Sequence, residues 1–182
     1  MSSTIFDFIG GNTGEWKVRQ MQVLKGTALE TVTYLKTNPG SLEQSKEGIW
    51  TLKGIVSNLR YTEKAEKEKL VAIQEDLGRP LATHAAFIPL RKLDEWWNLA
   101  QDERRKIMEE SSKHTQTGLK YLPAIARKLF HSRDIGEAFD FLTWFEYAPA
   151  EEEAFKELLY TLRKTEEWNY VDREIDIRLL RV

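Results

Sequence analysis

A histidine and an arginine, His114 and Arg127, are the residues of this sequence whose types and spacing best suit chemistry at one site. A helical pattern runs into His114, and the strand-like stretch YLPAIARKLF follows it. Strand side chains alternate between two faces, so Arg127 shares its face with Leu129. A guanidinium among apolar neighbours is costly unless an anion meets it. Arg127 therefore either reaches the sheet edge along its aliphatic stem or faces an anionic ligand.

The next strand-like stretch, FDFLTWFEY, has the same alternation. Thr143 shares one face with Phe141, Phe145 and Tyr147, which makes a mostly aromatic wall. One histidine, an aromatic cavity and one buried cation are together a recurring way to hold haem and to treat an anion at its iron. A histidine at a helix end is also commonly a charge that compensates the helix dipole. The pattern alone leaves both interpretations of His114 open.

The sequence lacks the usual catalytic signatures. It contains no glycine-rich phosphate loop, HExxH motif, serine elbow or paired-carboxylate signature. There is no cysteine, so disulfides, thiolate ligands and cysteine nucleophiles are excluded, and any metal must bind nitrogen or oxygen. The three histidines, at positions 84, 114 and 131, have no spacing that supports a shared metal site.

The composition indicates a globular chain. Its 182 residues suffice to bury a core, and 41% of them are hydrophobic. The net charge of -2 gives no reason to expect nucleic acid or an anionic membrane surface as a partner. No apolar run approaches the ~20 residues of a membrane span, and the N-terminus lacks the basic and apolar regions of a signal peptide. We therefore expect a cytoplasmic protein.

The order of predicted elements indicates an α+β fold. In the first part, residues 15–26 and 48–61 read as strands, 27–41 as a short helix, and 62–80 as a helix that Thr62 caps. Later come strands at 83–92, 121–130, 139–147 and 170–182, with helices at 93–114 and 148–168. This β-α-β-β-α-β order is that of a ferredoxin-like unit. We expect residues 1–80 to form an abbreviated ferredoxin-like half whose sheet packs against the complete half, 81–182.

The run from Trp96 and Trp97 through His114 and YLPAIARKLF to DFLTWFEY resembles the chlorite dismutases. It is most similar to their short lineage, which has a truncated N-terminal half, and the resemblance covers roughly residues 81–182. It implies a dimeric α+β barrel that binds haem b, with a histidine on the proximal side and a single arginine on the distal side. The truncated half makes a homodimer the expected assembly.

The resemblance also implies roles for individual residues. His114 is implied as the axial iron ligand, Arg127 as the catalytic distal arginine, and Glu167 as the carboxylate that accepts the outer imidazole N–H. Gln74 is either the distal amide partner of the arginine or a solvated helix position. The other implied members of the haem surround are Lys92 and Trp96 on the proximal side and Leu129, Thr143 and Phe145 on the distal wall.

The implied activity is conversion of chlorite to chloride and dioxygen, with O–O bond formation at the haem iron. This reaction gains and loses no proton, which fits a distal face that lacks a general acid or base. Arg127, always cationic, would hold the chlorine-containing fragment while the O–O bond forms. His131 shares the parity of Arg127, but four residues along a strand span ~13 Å, too far to serve the same spot.

Three other functions compete with this one. A coprohaem decarboxylase would share the fold, but that group lacks the arginine implied at position 127. A peroxidase of the dye-decolourising type is disfavoured by the short chain and by the missing acidic distal motif. A haem carrier or sensor without enzymatic activity is the third.

Overall fold

The computed structural model describes residues 4–43, 47–57 and 62–182. Eight antiparallel strands close into one barrel in the order β1-β3-β2-β8-β5-β7-β6-β4. The strands are β1 Ile5–Gly11, β2 Trp16–Lys25, β3 Tyr34–Pro39, β4 Trp50–Val56, β5 His84–Lys92, β6 Ala126–His131, β7 Phe141–Tyr147 and β8 Val171–Arg181. The α-helices are α1 Lys64–Ile73, α2 Asp94–Asn98, α3 Gln101–Arg105, α4 His114–Leu119 and α5 Glu152–Arg163.

Each half of the chain contributes four neighbouring strands to the barrel. The first half runs β4-β1-β3-β2 and the second half β8-β5-β7-β6, which is the same order when strands are counted within each half. The halves join where β2 pairs with β8 and where β4 pairs with β6. The two sheets therefore merge edge to edge into one barrel, and the expectation that one sheet packs against the other is wrong.

The barrel separates two apolar layers because strand side chains alternate between its inside and its outside. Aromatic rings fill the inside, where Phe8 stacks on Phe87 at 4.6 Å and Trp16 meets Trp144 edge-on at 5.4 Å. The outer face of β5 and β7 packs under α5, whose Phe155 lies 5.0 Å from Phe145. This outer layer, and not the barrel interior, carries the predicted site residues.

The first half differs from the sequence-based prediction in two places. Residues 34–39 form β3 and not part of a short helix, because they pair with β1 along their length and with β2 at Tyr34 and Leu35. Cross-strand pairing here decides a segment whose local preference is ambiguous. The sequence IFDFIGG, which we did not assign, forms β1. The last four residues of the strand predicted over 48–61 lie outside the described residues.

The long helix predicted over 93–114 is wrong, because it is broken into pieces. α2 ends at Asn98, α3 follows, and a π-helix spans Lys106–Ser111. At the first break the Arg104 side chain donates hydrogen bonds to the carbonyls of Trp97 and Leu99. At the second break Lys113 has a left-handed backbone, with φ of 51°. His114 consequently begins α4, so it is no compensating charge at a helix C-terminus.

Two other helices are shorter than predicted. The helix predicted over 62–80 is α1, at whose start Glu63 N–H donates to the Glu66 carboxylate, so that Thr62 is not its cap. The helix predicted over 148–168 is a 3-10 turn at Pro149–Glu151, then α5, then a second 3-10 turn at Glu166–Tyr170. The Thr165 hydroxyl donates to the Leu162 carbonyl at 2.7 Å and ends α5. This ending places Glu167 in the 3-10 turn before β8.

Candidate functional site

The start of α4 is held in place by a buried carboxylate. Glu109, in the π-helix, accepts hydrogen bonds from the Thr115 backbone N–H at 3.1 Å and from the Thr115 hydroxyl at 2.6 Å. A carboxylate at a helix start satisfies free N–H groups and suits the positive end of the helix dipole. The wider turn of a π-helix is often found at functional sites. Together with the left-handed Lys113, this contact fixes the backbone that carries His114.

His114 shares a hydrogen bond with a carboxylate that is itself fully bonded. Its Nδ1 lies 2.7 Å from Glu167 Oε2, while Lys92 Nζ donates to Glu167 Oε1 at 2.8 Å. The backbone N–H of Glu167 donates to Ser112 Oγ at 3.0 Å. The side chains of Lys92 and Glu167 are 5% and 4% exposed, so water does not compete for these bonds. The structure thus brings together three of the predicted residues, from β5, α4 and the 3-10 turn.

The positive charges beside Glu167 keep its carboxylate ionised. Burial alone would raise the pKa of Glu167, but His114 and Lys92 outweigh it and hold that pKa well below its ordinary value. Burial lowers the pKa of Lys92, and Glu167 opposes the shift. When Nδ1–H donates its hydrogen bond to this carboxylate, the neutral imidazole has its lone pair on Nε2. Among the described residues none bonds Nε2, so this nitrogen can ligate a metal.

Two tryptophans flank this group. Lys92 Nζ lies 3.5 Å from the centroid of the fully buried Trp96 ring, a cation–π contact. Trp168 lies nearly parallel to the His114 ring, at 20° and 6.5 Å, and its indole N–H donates to Glu174. These rings restrict rotation of the lysine and the imidazole.

Arg127 lies on the outer face of the barrel with the predicted wall residues. In the register of β6 and β7, Arg127 is opposite Phe145 and Leu129 is opposite Thr143, so all four side chains share one face. Burial lowers the pKa of Arg127, and the charge of Glu109 opposes that shift. Within the described ranges, its guanidinium makes no ion pair or hydrogen bond. It is a partly buried cation whose donors have no partner among the described residues.

The guanidinium of Arg127 lies against α4, the helix that begins at His114. A Cβ built on the buried Gly118 would be 2.9 Å from Arg127 Nη1. Gly118 follows His114 by four residues, and side chains at that spacing lie on one helix face. The part of α4 that lies against the arginine is therefore one helical turn beyond His114.

Two further residues were considered in the sequence analysis: Gln74, as the amide partner of the arginine or as a solvated helix position, and His131, as too distant from Arg127 to serve the same spot. Gln74, just after α1, donates from Nε2 to the main-chain carbonyl of Arg127 at 2.8 Å and does not contact the guanidinium. It supports the strand that carries the arginine. His131 lies at the far end of β6, where its ring meets Phe141 edge-on at 5.0 Å.

A recess of about 330 Å³ elsewhere on the surface is a poorer candidate site. Its cations are already neutralised, because Arg19 pairs with Glu152, Lys156 with Glu153 and Arg178 with Asp176. It contains none of the predicted site residues; its lining residues are Arg19, Gln20, Gln22, Glu152, Lys156 and Arg178.

Sequence reasoning missed Glu109, Ser112 and Gly118. The first two stand in a stretch that reads as one polar helix, EESSKH, and nothing local distinguishes them from solvated positions. Gly118 had one available signal, its spacing of four from His114.

In the described part of the chain, no helix is long and apolar enough to cross a membrane. The same residues contain no group of three or more His, Cys, Asp or Glu that could hold a metal ion.

The barrel and these contacts define a class, an α+β barrel protein with a carboxylate-oriented imidazole and a partly buried arginine on its outer face. The chain belongs to the chlorite dismutase family, whose model matches residues 27–181. A chlorite dismutase from Ideonella dechloratans is 34% identical over 127 residues, or 66% of this chain. That match spans 41% of the length of the Ideonella protein.

Solved structures agree with this membership. The dimeric chlorite dismutase from Nitrobacter winogradskyi is 50% identical and superposes with a TM-score of 0.91, covering 97% of this chain and 99% of that chain. The chlorite dismutase from Candidatus Nitrospira defluvii, solved in complex with imidazole, is 21% identical with a TM-score of 0.68. It covers 98% of this chain and 92% of that one, and at this identity it shows the fold alone.

Proposed function

We propose that this chain binds haem b through His114 Nε2 and converts chlorite to chloride and dioxygen. The observation that carries the proposal is an imidazole oriented by Glu167 at the start of α4, together with a partly buried arginine that lies against the same helix and has no ion pair among the described residues. The first arrangement suits an iron ligand and the second suits an anion. Family membership and the similarity to the dimeric chlorite dismutase from Nitrobacter support the substrate.

The residues present fit a haem. Glu167 accepts a hydrogen bond from Nδ1–H, so Nε2 presents its lone pair, and an anionic partner makes the imidazole a stronger donor. Lys92 keeps Glu167 ionised, and Trp96 and Trp168 hold the group in place. The haem iron, when bound, supplies the site at which an oxygen atom of chlorite is transferred and the O–O bond forms.

On the other side, Arg127 binds the anion and keeps it in place. Its planar fork of donors matches oxyanions, and its charge does not depend on pH in the working range. Leu129, Thr143 and Phe145 exclude water from the same face. Because chlorite and its products differ by no proton, an arginine without a neighbouring base is sufficient here.

The assembly and the domain division are part of the proposal. We propose a homodimer, because the chlorite dismutase from Nitrobacter, which this chain resembles over nearly its whole length, is dimeric. The identical strand order of the two halves supports two ferredoxin-like units, an abbreviated one over 1–80 and a haem-binding one over 81–182. Location in the cytoplasm stays a prediction.

Oxygen evolution tests the activity. The protein is loaded with haem b, chlorite is added, and dioxygen is followed with an electrode. We expect dioxygen and chloride in equal amounts. A coprohaem decarboxylase would instead consume coprohaem with peroxide, a peroxidase would oxidise a dye with peroxide, and a carrier would do none of these. Haem uptake without dioxygen above that from free haem would contradict the proposal.

The Arg127→Ala variant separates attraction of chlorite from retention of the chlorine-containing fragment. If Arg127 only attracts the substrate, KM rises and kcat stays nearly constant. We expect retention, so the variant should release hypochlorite and lose activity sooner, and added methionine should protect it far more than the parent. Arg127→Lys should rescue part of the loss, because a point charge lacks the planar fork. Arg133→Ala, which removes a half-exposed arginine, is the matched control. An unchanged lifetime and oxygen yield in Arg127→Ala would exclude retention.

A further inference from the structure

A buried glycine in α4 occupies a position where a side chain would meet the arginine. A Cβ on Gly118 would lie 2.9 Å from Arg127 Nη1, 3.4 Å from Cζ and 3.5 Å from Nη2. Glycine weakens a helix relative to alanine, and α4 has only six residues. Gly118 does not have a positive φ angle, so its backbone conformation does not require glycine. The space taken by the guanidinium therefore explains this glycine.

A buried negative charge lies on the same side of the helix. Glu109 accepts two hydrogen bonds from Thr115, and Thr115 precedes Gly118 by three residues, a spacing that puts both on one helix face. The charge of Glu109 opposes the effect of burial on the pKa of Arg127. Glu109 does not touch the guanidinium, so it acts through space and leaves the arginine donors free.

We propose that Gly118 and Glu109 form a seat that positions the Arg127 guanidinium against α4. Gly118 supplies the space, and Glu109 supplies the opposite charge. Both are positioning residues that act through Arg127. This inference rests on the proposed function, because it assigns the seat to the arginine that binds the anion. It also goes further, since α4 then sets the placement of the anion-binding cation relative to its own first residue, His114.

The test uses cyanide as an anionic probe of the haem-loaded protein, with its dissociation constant measured by absorption. Gly118→Ala leaves His114 and its partners intact, so haem uptake and the spectrum without cyanide should equal those of the parent. Displacing the guanidinium should weaken cyanide binding roughly tenfold, the effect of ~1.4 kcal/mol. In an Arg127→Ala background, Gly118→Ala should have no further effect, because the displaced group is gone. Equal cyanide affinity of Gly118→Ala and the parent would overturn the role of Gly118, as would an equal loss in both backgrounds.

A pair of variants separates the charge of Glu109 from its anchoring of α4. Glu109→Gln removes the charge, whereas Thr115→Val keeps the charge and removes the hydroxyl bond. We expect weaker cyanide binding in Glu109→Gln and parent-like binding in Thr115→Val. If both variants lose the same affinity, Glu109 only anchors the helix and its electrostatic role is refuted.

The same measurements keep the two proposals apart. A parent protein that takes up no haem, or evolves no dioxygen from chlorite, contradicts the proposed function. A parent that does both, beside a Gly118→Ala variant indistinguishable from it, contradicts the seat alone. Should Gly118→Ala not fold, the same substitution in the Arg127→Ala background must fold, since the obstructing guanidinium is absent; failure to fold there would refute the steric explanation.

Discussion

Each half of the barrel contains a buried lysine–carboxylate pair, and the two pairs differ in what else the carboxylate contacts. In the first half, Lys53 on β4 donates to Asp7 on β1 at 2.7 Å. In the second half, Lys92 at the end of β5 donates to Glu167 at 2.8 Å. Burial and distance are similar in the two pairs. Only the second pair takes part in the candidate site.

The other contacts of the first pair are with the backbone of residues 40 and 41. Lys53 also donates to the Ser41 carbonyl at 3.0 Å, and a Cβ on Gly40 would collide with the Asp7 carboxylate. The second pair continues to His114, whose Nε2 has no partner among the described residues. A buried ion pair by itself therefore does not mark a functional site. What distinguishes the second pair is its contact with His114, whose Nε2 has no partner among the described residues.

The largest effect should follow removal of this histidine. His114→Ala deletes the proposed iron ligand, so the variant should lose haem or bind it with an altered spectrum. Absorption spectra during haem titration measure this. His131→Ala, at the far end of β6, is the matched control and should bind haem like the parent. An unchanged spectrum and full activity in His114→Ala would show that the ligand assignment is wrong.

The Lys53–Asp7 pair should matter for stability alone. Lys53→Met leaves the Asp7 charge buried and unpaired, which should lower the free energy of unfolding by about 3–5 kcal/mol. Urea unfolding of the haem-free variant measures the loss. After haem loading, its absorption spectrum should match that of the parent. A changed axial ligation in Lys53→Met would contradict the separation of the two pairs.

The Lys92–Glu167 pair should set the reduction potential of the haem iron through His114. Glu167→Gln removes the anion that accepts the hydrogen bond from His114 Nδ1–H. The imidazole then becomes a weaker donor to the iron, so the reduction potential of the haem should rise. Haem affinity or activity should fall by about 10–100-fold, the usual effect of such partners. Spectroelectrochemistry reads the potential. Glu146→Gln changes another buried carboxylate, one bonded to Trp144, and should leave the potential unaltered. A lower potential in Glu167→Gln would count against the hydrogen bond.

The smallest effect concerns Arg127 in the haem-free protein. Burial disfavours its charge, as its lowered pKa indicates, so Arg127→Met should stabilise the fold while keeping the apolar stem. We expect a gain of about 1 kcal/mol, the lower end for a buried polar group without a hydrogen bond. Arg133→Met, at a half-exposed site, should change stability by less than about 0.5 kcal/mol. A loss in Arg127→Met as large as that in Lys53→Met would mean that Arg127 is a structural residue.

Particular elements show what could be predicted from the sequence. β7 and β8 have clear alternation and were predicted almost to their bounds, and the parity of β6 placed Arg127 and Leu129 on one face as observed. The break before His114 could not be predicted, because it depends on a left-handed Lys113 and on Glu109, which contacts Thr115 only in the folded chain. β3 could not be predicted either, since pairing with β1 decides it. The alternation of residue types predicts which side chains share a face of a strand. Contacts between segments distant in sequence decide where helices break and which strands pair, and these cannot be read from local sequence.

The most direct test of the account follows the two oxygen atoms of chlorite. Chlorite labelled with a heavy oxygen isotope is given to the haem-loaded protein in unlabelled water, and the dioxygen is analysed by mass spectrometry. If Arg127 retains the fragment at the iron until the O–O bond forms, nearly all dioxygen should carry two labelled atoms. Arg127→Ala should give less dioxygen from the same chlorite. Dioxygen with one atom from water in the parent, or no dioxygen at all, would contradict the account.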